Sequence, residues 1–111
     1  MTLNEELLKT AIQSKSCVRG VYDGYERFFC PHILGGKGGK TNVLVYQYAG
    51  NSSKGRIITP PVPNDGPSSN WKCMLVSNLS ELSLVDGPWY TCQKHTQRQS
   101  CVDQVIVEVS H

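Results

Sequence analysis

Apolar positions along the chain follow two rhythms. Leu7, Leu8, Ala11 and Ile12 fall at i, i+1, i+4 and i+5, which makes one apolar stripe on a helix. Asn4 can cap that helix, and Glu5 and Glu6 stand in its first turn, where acidic side chains favour the helix dipole. The pattern predicts a helix over about residues 4–15, packed on a sheet. From Cys17 onward the period is two. Cys17 to Tyr22 predicts a short strand, Asp23-Gly24 a hairpin turn, and Glu26 to Leu34 a second strand with Pro31 at a bulge or edge. Gly35 to Lys40 predicts a flexible loop. Asn42 to Tyr48 predicts a third strand, with Val43 and Val45 alternating against Leu44 and Tyr46. Apolar residues on both faces predict a central position for it.

Gly50 to Asn70 breaks the rhythm. It is rich in Gly, Ser, Asn and Pro and predicts a long loop of the kind that is functional or disordered in compact domains. Trp71 to Val76 resumes β structure. In Asn78 to Val85, Leu82 and Leu84 alternate as in a strand, with Leu79 at a preceding turn. Gly87-Pro88 is a break, and Lys94 to Ser100 reads as a loop or short helix. Val102 to Val109 alternates again and predicts a last strand that closes the sheet. There is no internal repeat.

A chain of 111 residues is one domain, mainly β with a helix (α+β), and its 39% hydrophobic content supports one modest core. No stretch approaches the roughly 18 apolar residues of a membrane helix. The start, MTLNEELLKTAI, is acidic and amphipathic and lacks the features of a signal peptide, so a cytoplasmic location is expected, with no membrane partner. A net charge of +2 is too small to argue for nucleic acid by itself. Cys17, Cys30, Cys73, Cys92 and Cys101 make an odd set, which argues against a disulfide framework and predicts reduced thiols, several of them core filler.

Candidate chemistry narrows quickly. GGKGGKT ends like a phosphate loop in Gly39-Lys40-Thr41, but the first required glycine falls on Leu34 and a strand follows where a helix should. Cys30-x-His32 and Cys92-x-x-His95, with Cys101, match no zinc spacing, so no metal or other cofactor is expected. A Cys–His nucleophile pair lacks a legible orienting residue and oxyanion element, and the chain is not expected to be an enzyme. A polar binding face is the sharper reading. Arg19, Arg27, His32, Tyr46 and Gln47 lie on neighbouring strands, with Gln47 facing away from Tyr46. Arg side chains grip phosphate or carboxylate in planar pairs of bonds, and Tyr46, Tyr48 and Trp71 offer stacking surface to a base. Ser52, Ser53, Lys54 and Arg56 form a candidate anion cradle, and Lys37 or Lys40 could add to it. Pro60-Pro61-Val62-Pro63 is extended chain, a lid or a passive spacer.

The order of parts resembles the WYL domain family over roughly residues 4–86. A short helix precedes a strand with Arg19 and Tyr22, then a strand ending in Pro31-His32 with Gly35, then Val43-Leu44-Val45-Tyr46. An aromatic-basic strand (Trp71, Lys72) and a leucine-rich segment (Leu79, Leu82, Leu84) follow. The Trp-Tyr-Leu tripeptide itself is absent, since that strand reads Asn42-Val43-Leu44, and a stand-alone domain without an attached helix-turn-helix or catalytic domain is expected. The resemblance implies a small SH3- or Sm-like β-barrel of about five or six strands over residues 16–86, with the helix before it and residues 87–111 as an extension. It also implies a non-catalytic domain that senses or sequesters a nucleotide or cyclic-nucleotide-type anion. The expected site is Arg19, Arg27, Lys40 and Lys54 for charge, Tyr46 or Trp71 for stacking, and His32, Ser52 and Ser53 as polar contacts. Two alternatives are a protein-docking module, homo-oligomeric or otherwise, using sheet edges, the Pro-rich loop, Trp89 and Tyr90, and a single-stranded nucleic-acid binder whose affinity falls steeply with salt.

Overall fold

The computed structural model describes residues 2–53, 55–60, 67–92 and 101–109. One helix, α1 (Leu3–Ser14), is followed by β1 (Cys17–Tyr22), β2 (Tyr25–Lys37), β3 (Lys40–Ser52), β4 (Gly55–Arg56), β5 (Trp71–Leu75), β6 (Leu79–Val85) and β7 (Gln104–Glu108). The expected mainly-β architecture with one N-terminal helix is present. Among the described residues the sheet has seven antiparallel strands and does not close into a barrel. No described helix is long and apolar enough to cross a membrane.

The two long central strands organise everything else. The near half of β2 pairs with β1 and its far half with β7. β3 pairs with β2 along most of its length, with β5 over Asn42–Tyr46, and with β4 at Asn51 and Ser52. β3 is therefore central, and its two faces feed two cores. Val43 and Val45 pack with Phe29, Leu34, Met74 and the helix residues Leu8, Ala11 and Ile12. Leu44 and Tyr46 pack with Ile33, Trp71, Cys92, Cys101 and Val102.

The helix is capped by Thr2 and not by Asn4. Thr2 Oγ1 accepts the Glu5 N–H at 3.1 Å, and the Glu5 carboxylate accepts the Thr2 N–H at 2.8 Å. This reciprocal box satisfies two N–H groups that the helix leaves unpaired, and Thr-x-x-Glu is its sequence signature. Asn4 instead donates from Nδ2 to the Leu79 carbonyl at 3.1 Å and ties the helix to β6.

The expected loop Gly35 to Lys40 is mostly strand. β2 runs on through Gly35 and Gly36, and the chain turns only at Gly38-Gly39, both at positive φ as a tight hairpin requires. Gly35 is needed for another reason: a Cβ there would lie 2.2 Å from a Val102 methyl and 2.3 Å from the Gln104 carbonyl. The segment leading into β7 crosses β2 at that point. Pro31 stands at a bulge, as expected, since Pro31 pairs with Val45 and Ile33 with Leu44, leaving His32 as the extra residue. The expected long loop likewise begins as strand, because Gly50–Ser52 complete β3 and Gly55–Arg56 turn back on it. Of the Pro60–Pro63 run, only Pro60 is described, and the segment Lys94 to Ser100 lies outside the described residues.

The cysteines correct the expectation of five reduced thiols. Cys73 on β5 and Cys101, just before β7, form a disulfide across a sequence separation of 28. Cys17, Cys30 and Cys92 are free and buried.

Candidate anion pocket

The β1–β2 hairpin builds the site. Asp23 and Gly24, at φ 53° and 80°, form its tight turn, and Tyr22 and Tyr25 pair across it. Tyr25 and Arg27 share one face of β2 by strand alternation. The Arg27 guanidinium carbon lies 5.1 Å from the Tyr22 ring centre and 5.7 Å from that of Tyr25, within cation–π range of both. Arg27 is only 5% exposed. Its Nη1 donates to Gln47 Oε1 at 3.3 Å. Gln47 is fully buried, and its Nε2 donates to the carbonyls of Ala49 and Asn51, both at 3.0 Å, which fixes the amide's orientation.

This arrangement leaves a buried cation short of acceptors. Arg27 Nε has no hydrogen-bond partner, and no carboxylate stands within salt-bridge distance of Arg27 among the described residues. Burial draws the guanidinium below its ordinary pKa, opposed by the charge of nearby Asp23 and by the two tyrosines. Removing a charge from water without pairing it costs several kcal/mol, on the order of a domain's whole stability margin. Arg27 lines a pocket of about 470 Å³ together with Tyr22, Asp23, Ser52, Ser53 and Lys72. Ser52 Oγ donates to the Gly55 carbonyl at 3.0 Å and holds the β3–β4 turn that forms one wall. An anion in this pocket would place negative charge beside Arg27.

The structure brings together Arg27, Ser52, Ser53 and Trp71 from the expected site and separates the rest. Arg19 sits opposite Phe28 while Arg27 sits opposite Gly20, so the two arginines project from opposite faces of the hairpin. Arg19 is paired with Glu26 on the exposed face through Nε, at 2.9 Å, and through Nη2. Lys40 stands at the other end of β3 from Ser52, about 40 Å away along the strand's contour. It lines a separate hollow of about 360 Å³ by the Gly38-Gly39 turn. Lys54 lies outside the described residues.

Tyr46 is fully buried, its hydroxyl donating to the Pro67 carbonyl at 2.9 Å, and burial pushes its pKa up to about 12. It offers no open face to a base. Trp71 touches the pocket, but its ring packs edge-on against Tyr46 at 5.1 Å and His32 at 4.7 Å. His32 is an internal brace. Nδ1 donates to the Cys30 carbonyl at 2.8 Å, Nε2 accepts from the Thr91 hydroxyl at 2.9 Å, and Trp89 covers its ring. Trp89 and Tyr90 are half-buried and not the exposed docking pair expected, since Tyr90 stacks on Tyr48 at 4.4 Å. Among the described residues no three metal-ligating side chains cluster, and His95 of the Cys-x-x-His pair lies outside them.

Sequence reasoning placed Tyr25, Asp23 and Lys72 outside the expected site. The spacing Tyr22-Asp23-Gly24-Tyr25-x-Arg27 is the signal that joins them, because a two-residue turn aligns Tyr22 with Tyr25 and alternation adds Arg27.

No family model matches this chain, and no curated protein or solved structure matches it either.

Proposed function

We propose that this chain is a WYL-like domain, its open sheet related to the SH3- and Sm-like barrels, that binds a nucleotide-type anionic ligand without turning it over. The observation that carries this reading is Arg27: a buried guanidinium with an unfilled donor on the wall of an open pocket. A phosphate group in the pocket would lie beside the Arg27 guanidinium and draw on Lys72 and Ser53, which line the same pocket. Tyr25, 39% exposed, stands beside Arg27 just outside the pocket's lining and takes the stacking role first given to Tyr46 and Trp71 for a ligand that reaches past the rim. The pocket's size falls in the range of small-molecule sites, roughly 300–1,000 Å³. Among the described residues no histidine lines it, and Ser52 is engaged with Gly55, so capture is favoured over chemistry.

A thermal-shift screen tests the reading, with mononucleotides, cyclic dinucleotides, inorganic phosphate and short single strands at low and high salt. A salt-tolerant rise with one small phosphate-bearing ligand supports it. Response to single strands alone, steeply lost with salt, moves the assignment to nucleic acid.

One observation favours a second reading, docking of a protein partner or a second copy. Leu84 on β6, with Val105 and Ile106 on β7, is exposed at 48%, 41% and 49% respectively, on strands that each pair with a single described neighbour. A molecular mass that rises with concentration, with no small-ligand response, would select it.

A further inference from the structure

Cys17 and Cys30 face each other at the open end of the β1–β2 hairpin. Val18 pairs with Phe29, so the next antiparallel pair outward is Cys17 with Cys30. Counting from the two-residue turn, this falls at a non-hydrogen-bonded pair, where opposed Cα atoms approach to about 4.5 Å. That separation lies inside the Cα range of disulfides, about 4.4–6.8 Å. The two sulfurs are 3.2 Å apart. Cys17 Sγ also lies 3.2 Å from the Pro88 carbonyl, and Cys30 Sγ accepts the Tyr90 N–H at 3.3 Å. Segment 88–90 therefore closes over the pair, and both thiols are shielded from solvent.

We propose that Cys17 and Cys30 are a reversible dithiol–disulfide pair, oxidised by a small peroxide. Both thiols are buried, so the peroxide reaches them only when the covering segment 88–90 moves aside. The hydrogen bond from Cys30 draws the Cys17 thiol below its ordinary pKa, while burial raises that of Cys30, so Cys17 is the attacking sulfur. The Cys17 thiolate attacks one peroxide oxygen. The O–O bond breaks, Cys17 becomes the sulfenic acid, and the departing hydroxide takes a proton to leave as water. The Cys30 sulfur then attacks Cys17 sulfur. The S–S bond forms, the S–O bond breaks, and the hydroxyl leaves as water with the Cys30 proton. Two thiols lose two electrons, and one peroxide becomes two waters. A thiol reductant reverses the change by exchange. The bond would staple the base of the hairpin that carries Tyr22, Tyr25 and Arg27, and would remove the thiol hydrogen that Cys17 donates to the Pro88 carbonyl.

The test uses the full chain with Cys73–Cys101 intact. After hydrogen peroxide, the protein is unfolded in iodoacetamide and cleaved with trypsin. Cys17 falls in peptide 16–19 and Cys30 in peptide 28–37, so a bond between them appears as a linked peptide pair. The expected result is that pair, a loss of two hydrogen masses reversed by dithiothreitol, and a raised Tm; Cys17→Ser abolishes the pair and leaves Cys73–Cys101 linked. Both peptides remaining fully alkylated, over-oxidation of either thiol without linkage, or linkage to Cys92 overturns the proposal. The linkage readout on the unsubstituted chain holds even where Cys17→Ser folds poorly.

Discussion

Arg27 Nη1 and Gln47 Oε1 meet 3.3 Å apart between β2 and β3, both out of contact with water. The amide can turn only one way, because its nitrogen is committed to the carbonyls of Ala49 and Asn51. Its oxygen therefore always faces the guanidinium, and Arg27 is held against the pocket with Nε unfilled.

Replacing Gln47 by leucine would strip that acceptor from Arg27 and leave the part-buried carbonyls of Ala49 and Asn51 without their donor. Each unsatisfied group costs about 1–3 kcal/mol, so Gln47→Leu is expected to lose roughly 2–4 kcal/mol in urea denaturation. Phosphate or sulfate should restore part of that loss. A variant as stable as the unsubstituted chain would show that the pair contributes nothing.

Gly35 is where the approach to β7 crosses β2 most tightly. Gly35→Ala drives a methyl into Val102 and the Gln104 carbonyl and is expected to cost about 1–3 kcal/mol or more. Gly36→Ala meets only the Lys40 carbonyl, at 3.7 Å, and should cost far less. Equal Tm values for the two variants would contradict this packing.

Much of this was legible in the sequence. The helix stripe, the Asp23-Gly24 hairpin, the bulge at Pro31, the central β3 and the final strand all follow from periodicity and turn chemistry. What was missed has physical causes. Gly35 and Gly36 read as loop because glycine announces a turn, whereas the turn itself is only Gly38-Gly39 and the two residues pair with Asn42 and Thr41 on one side and with the sequence-distant β7 on the other. The site was half legible. Arg19 and Arg27 both look like ligand-gripping residues, and only register shows that Arg19 belongs to Glu26 on the other face. Tyr46 looks like a stacking platform until β5 covers it. The odd cysteine count hid the Cys73–Cys101 pair, since counting assigns no partners.

That disulfide closes a large loop between β5 and the approach to β7. Loop-closure entropy for 28 residues is worth about 3–4 kcal/mol, so reduction, or Cys73→Ser, is expected to lower Tm by roughly 15 °C. Such bonds persist in oxidising surroundings and are rare where thiols are kept reduced. A Tm unchanged by reductant would mean that the bond adds no stability.

The capping box makes a pH-dependent contribution. The Thr2 N–H holds the Glu5 carboxyl below its ordinary value of 4.5, so the folded state favours the ionised form. The stabilisation is present above that value and is lost as pH falls through the lower folded one. Glu5 is largely solvated, so screening leaves only a few tenths of a kcal/mol. Glu5→Gln keeps the hydrogen bond without the charge. Its urea midpoint should sit below that of the unsubstituted chain near neutrality and converge with it in acid; a constant gap would contradict the assignment.

The central claim is that Arg27 captures a phosphate-bearing ligand, and calorimetric titration of the unsubstituted chain beside Arg27→Met addresses it most directly. The titrant is the phosphate-bearing nucleotide that gives the largest thermal shift. One-to-one saturation at moderate salt is predicted, weakened at least about tenfold (about 1.4 kcal/mol) in Arg27→Met and left intact in Arg19→Met. Equal binding by all three proteins, or no saturable binding by the unsubstituted chain, would contradict it.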